Sequence, residues 1–314
     1  MRKALLALFI VWLVIIPGCK LLGSSDDETY RLGLITEIKA FENRLGFSET
    51  ENFKTYSDEI EAYDYYFYTS KTELPYSLDD PLLQNAAGKP GDISVDSGEY
   101  DVFYYSIEAI AGVKTPVTKS LLQAPLPRFI HVILHEDWHE QMDSPLGIEE
   151  PCAEIVSYQA ALLFTEEKFG EDSAVCLTLK KDFSNRLKES ELYRQYYEEL
   201  SLLYSSFDSG LISQSETLSR KAKLLESMAK ALKNIWGASP RQLNNAFIAF
   251  QMTYLRHLPL MYQVYSAQNF DLMETMAIFH SVPGQGAKFD DVEELKNIER
   301  EVADYLQEPV PLAK

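Results

Sequence analysis

From Pro125 to the carboxyl end no stretch alternates as a strand does, while apolar residues recur at three- and four-residue intervals between Gly, Pro and Ser breaks. This commits most of the chain to helices. The period predicts segments near 126–142, 151–169, 173–206, 211–236, 239–267, 270–281 and 289–307. Charge runs such as Lys180 to Glu199 read as solvated faces, and the stripe Leu225, Met228, Ala229, Leu232, Ile235 reads as core.

Upstream the pattern changes. Leu32, Leu34, Ile35, Ile38, Phe41 and Leu45 mark one amphipathic helix ending near Gly46. Two Tyr-rich stretches follow, 62–69 and 100–107, whose aromatic and β-branched residues suit strands that could pair in a small sheet. Between them Pro75, Pro81, Gly88, Pro90 and Gly91 punctuate a long loop, a candidate flap over a site. The expected class is α+β, mostly helical with a small amino-terminal sheet.

The first residues read as an address. Met1-Arg2-Lys3 precedes thirteen uninterrupted apolar residues, Ala4 to Ile16, and Ile16-Pro17-Gly18-Cys19 follows at once. That is the order of a bacterial secretion signal, and it falls short of the roughly 20 apolar residues a spanning helix needs. A small residue followed directly by Cys resembles the lipobox of bacterial lipoproteins. The resemblance implies a signal peptide over 1–18 and acylation of Cys19; the alternative is an uncleaved anchor. Either way the protein is exported and held at a membrane of the cell envelope, Lys20 slightly favouring the outer one. Residues 19–28 read as a flexible tether, which leaves 29–314 as a single domain.

Composition narrows the partners. Lys and Arg number 29 against 48 Asp and Glu, a net charge of −19 that repels phosphate backbones and excludes nucleic acid. Three cysteines cannot staple a chain of 314 residues, although Cys152 and Cys176 could pair if their backbones lie close enough.

Three of the five histidines fall within nine residues, in Ile130-His131-Val132-Ile133-Leu134-His135-Glu136-Asp137-Trp138-His139-Glu140. His135-Glu136-x-x-His139 is HExxH. On a helix its imidazoles lie one turn apart on one face and can reach one metal ion, Zn2+ being the usual occupant. Glu136 then sits beside the ion and can accept a proton from water. The competing reading is a pair of structural histidines. A third ligand is expected downstream, where Asp143 to Gly147 forms a turn and Pro151 suits the first turn of the next helix. Glu150 and Glu154 share a face there, so one can bind the metal while the other orients a ligand imidazole. Glu149 is expected to face solvent, His257 and His280 to be structural, and His131 to be a ligand, a substrate contact or simply buried.

An HExxH helix followed by Glu-x-x-Ala resembles the gluzincin arrangement of zinc metallopeptidases, and the flanks are similar to a bacterial family of predicted aminopeptidases. The similarity runs through Ala40 to Phe47, Tyr56-Ser57, Asp101-Val102-Phe103, Gly112 to Pro116, Arg128 to Gln141, Leu243 to Ala246, Tyr254 and Asp271-Leu272. It implies a zincin-like domain with the motif on a central helix. It also implies His135, His139 and Glu150 as zinc ligands, Glu136 as general base, Glu154 orienting His135, and Tyr254 stabilising the oxyanion. Peptides or proteins are then the substrates. The alternative is a membrane-tethered binding or assembly module that keeps the metal only as a staple. It is motivated by Asp137 and Trp138, which stand where the family places small or apolar residues.

Overall fold

The computed structural model describes residues 25–89, 91–92, 95–112 and 114–307. Cys19 and the signal segment lie outside them. Helix α1 (Ser25–Leu45) buries Leu34, Ile35, Ile38 and Phe41, and Gly46 ends it in the left-handed region at φ 91°. It begins inside the segment read as a tether.

Strand β1 (Tyr63–Ser70) pairs antiparallel with β3 (Tyr100–Ile107) from Tyr63↔Ile107 to Ser70↔Tyr100, as the two Tyr-rich stretches predict. Its other edge carries β2 (Gln84–Ala87), giving the order β2-β1-β3. The reading of the stretch between 62–69 and 100–107 as one long loop misses β2, a largely exposed edge strand. One face of the sheet packs on helix α7 (Asn245–Leu255): Phe67 and Phe103 stack at 4.9 Å, and Phe250 meets them at 4.9 and 5.1 Å. Each buried Phe contributes about 1.5–3 kcal/mol through lost apolar surface.

A short α2 (Lys119–Gln123), capped by the Thr118 hydroxyl, leads into α3 (Leu126–Trp138). Helix α4 (Leu146–Phe169) folds back beside α3, and the two form the centre of the core. Around them run α5 (Ala174–Asp208) and α6 (Gln214–Trp236), a long helical hairpin, then α7, α8 (Leu258–Ala267), α9 (Leu272–His280) and α10 (Val292–Gln307). The chain is thus mostly helical with one small antiparallel sheet. Among the described residues no helix is long and apolar enough to cross a membrane.

Two boundaries correct the sequence reading. The segment expected as one helix over 239–267 breaks at Arg256–His257, because Pro259 cannot donate into a continuous helix and instead occupies the start of α8. Helix α4 starts at Leu146 and runs through Pro151 instead of starting there. That shift of five residues decides which carboxylates face the histidines.

Candidate metal centre

Helix α3 enters with Pro127 in its first turn and is buried along nearly its whole length, so the face carrying His135 is fixed by packing on both sides. The HExxH motif straddles its end: His139 is the C-cap residue, still helical at φ −59°, and its N–H donates to the His135 carbonyl at 3.3 Å. The one-turn spacing therefore survives. The Nε2 atoms of His135 and His139 stand 3.0 Å apart, and Glu150 Oε2 lies 3.1 Å from the first and 3.4 Å from the second. Tetrahedral geometry with bonds of about 2.0–2.1 Å places neighbouring donor atoms about 3.3–3.4 Å apart. The three groups can hold a metal ion.

Further observations fit a cation there. His139 Nδ1 meets Glu149 Oε1 at 2.5 Å, and a proton on that nitrogen leaves Nε2 as a lone pair aimed at His135 and Glu150. Oε1 of Glu150 and the Tyr254 hydroxyl are buried without a hydrogen-bond partner among the described residues, and the equally buried Glu136 carboxylate draws on the Ala111 backbone N–H. A buried unsatisfied polar group costs about 1–3 kcal/mol. Two around one point mark a need that a divalent ion and an attached water would meet.

The electrostatics are those of a site charged by its contents. Burial holds His135 well below the usual imidazole range. Burial opposes a charge on His139 too, but the Glu150 and Glu149 carboxylates outweigh it and raise its pKa. Burial pushes Glu136 up to about 8 and Glu150 up to about 7, each against the pull of His139. Without a cation, protons take its place. Tyr254, which feels the charges of Glu150 and Glu136, is held protonated by burial and stays a donor.

The assigned residues divide. His135, His139 and Glu150 converge, with Glu136 and Tyr254 within electrostatic reach. Glu149 is not solvent-facing; starting α4 at Leu146 turns it onto His139. Glu154 instead gives both carboxylate oxygens to Arg186, at 3.3 Å each, in a buried network with Glu189 and Gln251. His131 joins the Ser157 hydroxyl at 2.9 Å and packs on Tyr158, outside the metal group. His257 pairs with Glu299 and His280 stacks on Trp138 at 5.0 Å. Cys152 and Cys176 are buried free thiols, not a disulfide.

Asp137 and Trp138 face away from the imidazole pair. Asp137 accepts from Thr50 at 2.7 Å and from Lys39, and Trp138 packs edge-on to Phe47. Asn52, which the sequence did not single out, donates to the Glu136 carbonyl at 3.2 Å and so steadies the same turn from behind.

The centre is enclosed. His135, Glu136 and Glu150 are 0% exposed and His139 8%. The candidate flap is fastened down as a strap: Asn245 donates to the Glu73 carbonyl, Tyr197 to that of Pro75 and Arg256 to that of Tyr76, while Leu78 N–H donates to the Thr253 hydroxyl. Its Asp79 carboxylate accepts the Leu146 N–H at 2.9 Å, on the turn that carries Glu149, and burial pushes Asp79 up to about 7. Compared with protein-family models, curated proteins and solved structures, the chain gives no match.

Proposed function

We propose that this protein is a zinc-dependent peptidase, exported and tethered through a lipidated Cys19. The observation that carries the reading is the trio of donor atoms 3.0–3.4 Å apart beside the fully buried carboxylate of Glu136. Resemblance of the motif and its flanks to the predicted aminopeptidases supports peptide bonds as the target.

His135, His139 and Glu150 would hold the ion, with Glu149 fixing the His139 tautomer. A zinc ion bound there supplies Lewis acidity, polarising a carbonyl and lowering the pKa of water. Glu136 takes the proton from the attacking water and returns it to the leaving amine, a task suited to a carboxylate whose pKa burial has raised toward neutrality. The Tyr254 hydroxyl donates to the oxygen that gains charge.

The near-complete burial of the three ligands favours a second reading, a binding or assembly lipoprotein in which the metal is a staple. Metal analysis of the purified protein and a mixed-peptide digest with and without chelator separate the two. The peptidase reading expects zinc and chelator-sensitive cleavage, with Glu136→Gln keeping zinc and losing about 10²- to 10⁴-fold in turnover. Zinc with no cleavage of any peptide sustains the staple; neither zinc nor cleavage defeats both.

A further inference from the structure

A cavity of about 520 Å³ lies behind α3, on the side of Asp137, between α1 and the segment from Ser48 to Tyr56. That volume is within the range of small-molecule pockets. Its rim residues Leu32, Thr36, Glu49 and Tyr56 are exposed, whereas Ile35, Phe53 and Val117 make a buried apolar wall. Lys39, Glu42 and Thr50 line its inner part.

Those inner residues form a cluster with one positive charge for two carboxyls. Lys39 Nζ reaches Asp137, donates to the Thr50 hydroxyl at 2.8 Å and lies 3.7 Å from Glu42 Oε2. Glu42 and Asp137 also face each other, so one ammonium serves two adjoining carboxyls. Glu42 is only 3% exposed, and its Oε1 has no hydrogen-bond partner among the described residues. Burial, the neighbouring Asp137 charge and a hydrogen bond between the two carboxyls push Glu42 up to about 10, so a proton stands where a second cation could replace it. An acidic chain of net charge −19 favours a cation in that place over an anion.

We infer that this cavity is a binding site for a primary ammonium carrying an apolar body, the ammonium seated on Glu42 and the body against Ile35, Phe53 and Val117. The ligand's ammonium displaces the proton held between Glu42 and Asp137, giving two ammonium groups for two carboxylates. Because Lys39 and Thr50 hold Asp137, and Asn52 holds the Glu136 carbonyl, the occupied cavity abuts the back of the turn that carries the metal motif. This site is separate from the metal centre and does not depend on peptidase activity.

The test is a ligand-observed NMR titration of the full chain at pH 7 with n-hexylamine, 1-hexanol and hexanoate. Saturable binding of hexylamine is expected, at least tenfold tighter than either of the others. Glu42→Gln should weaken the amine at least tenfold while leaving the alcohol within twofold. Thr36→Trp, a surface change that fills the rim, should weaken all binding without disturbing the fold. Absence of saturable amine binding, equal affinity for the three probes, or amine binding untouched by either substitution overturns the assignment.

Discussion

Glu149→Gln tests the tautomer argument most directly. The substitution keeps size and helix position but removes the charge that meets His139 Nδ1 at 2.5 Å, in a place where the Glu149 side chain is 11% exposed. Carboxylates that orient ligand imidazoles are worth about 10- to 100-fold in metal affinity, about 1.4–2.7 kcal/mol. The contact is largely desolvated, which places the loss toward the upper end. Zinc affinity, measured by competition with a chromogenic chelator at pH 7, should therefore fall by about 30- to 100-fold. The Ser144 N–H also donates to Glu149, at 3.3 Å, but the amide oxygen of Gln can still accept it. Zinc affinity within twofold of the parent would refute the orienting role.

Glu154→Gln is the paired control: zinc affinity should stay within about threefold, while removing one of the two carboxylate charges on the buried Arg186, which keeps Glu189, costs about 1–3 kcal/mol in denaturant unfolding. Metal-free protein should lose stability as pH rises from about 5 to 8. Glu136 and Glu150 titrate at about 8 and about 7 when folded, against 4.5 when unfolded, so the folded state binds more protons in that window. His139, raised as well, acts in the same direction, its contribution present below its ordinary value and lost through its folded one, while His135, lowered, opposes it below about 6.5. Thermal melts at several pH values with and without zinc check this; metal-free stability that rises with pH over the window contradicts the assignment. Gly147→Ala should destabilise the protein by about 1–3 kcal/mol, because a methyl there overlaps the Glu299 carboxylate, which Tyr76 and His257 hold in place. Unchanged unfolding would show that Glu299 moves freely.

The metal trio was legible because HExxH spacing on a helix is a local property and Glu150 lies only one turn of chain away. The orienting carboxylate was not. Whether Glu149 or Glu154 meets a histidine depends on where α4 begins, and Pro151 reads as a first-turn residue although the helix passes through it. Strands β1 and β3 were written in Tyr, Phe and Val, whereas Gln84–Ala87 has no strand preference and pairs only because β1 offers an open edge. The roles of Asp137 and Asn52 required α1 and the Ser48–Tyr56 segment to meet behind α3, contacts between residues more than eighty positions apart. No periodicity announces those.

The five ties along Glu73–Asp79 bear on kinetics as much as on shape. A cation held by ligands this buried leaves only when the structure around it opens, and this belt, whose Asp79 ties down the start of α4 near Glu149, resists such opening, so residence time is governed by that opening and not by coordination strength alone. Stripping by excess chelator should accordingly be slow and independent of chelator concentration, and loading an emptied chain equally sluggish.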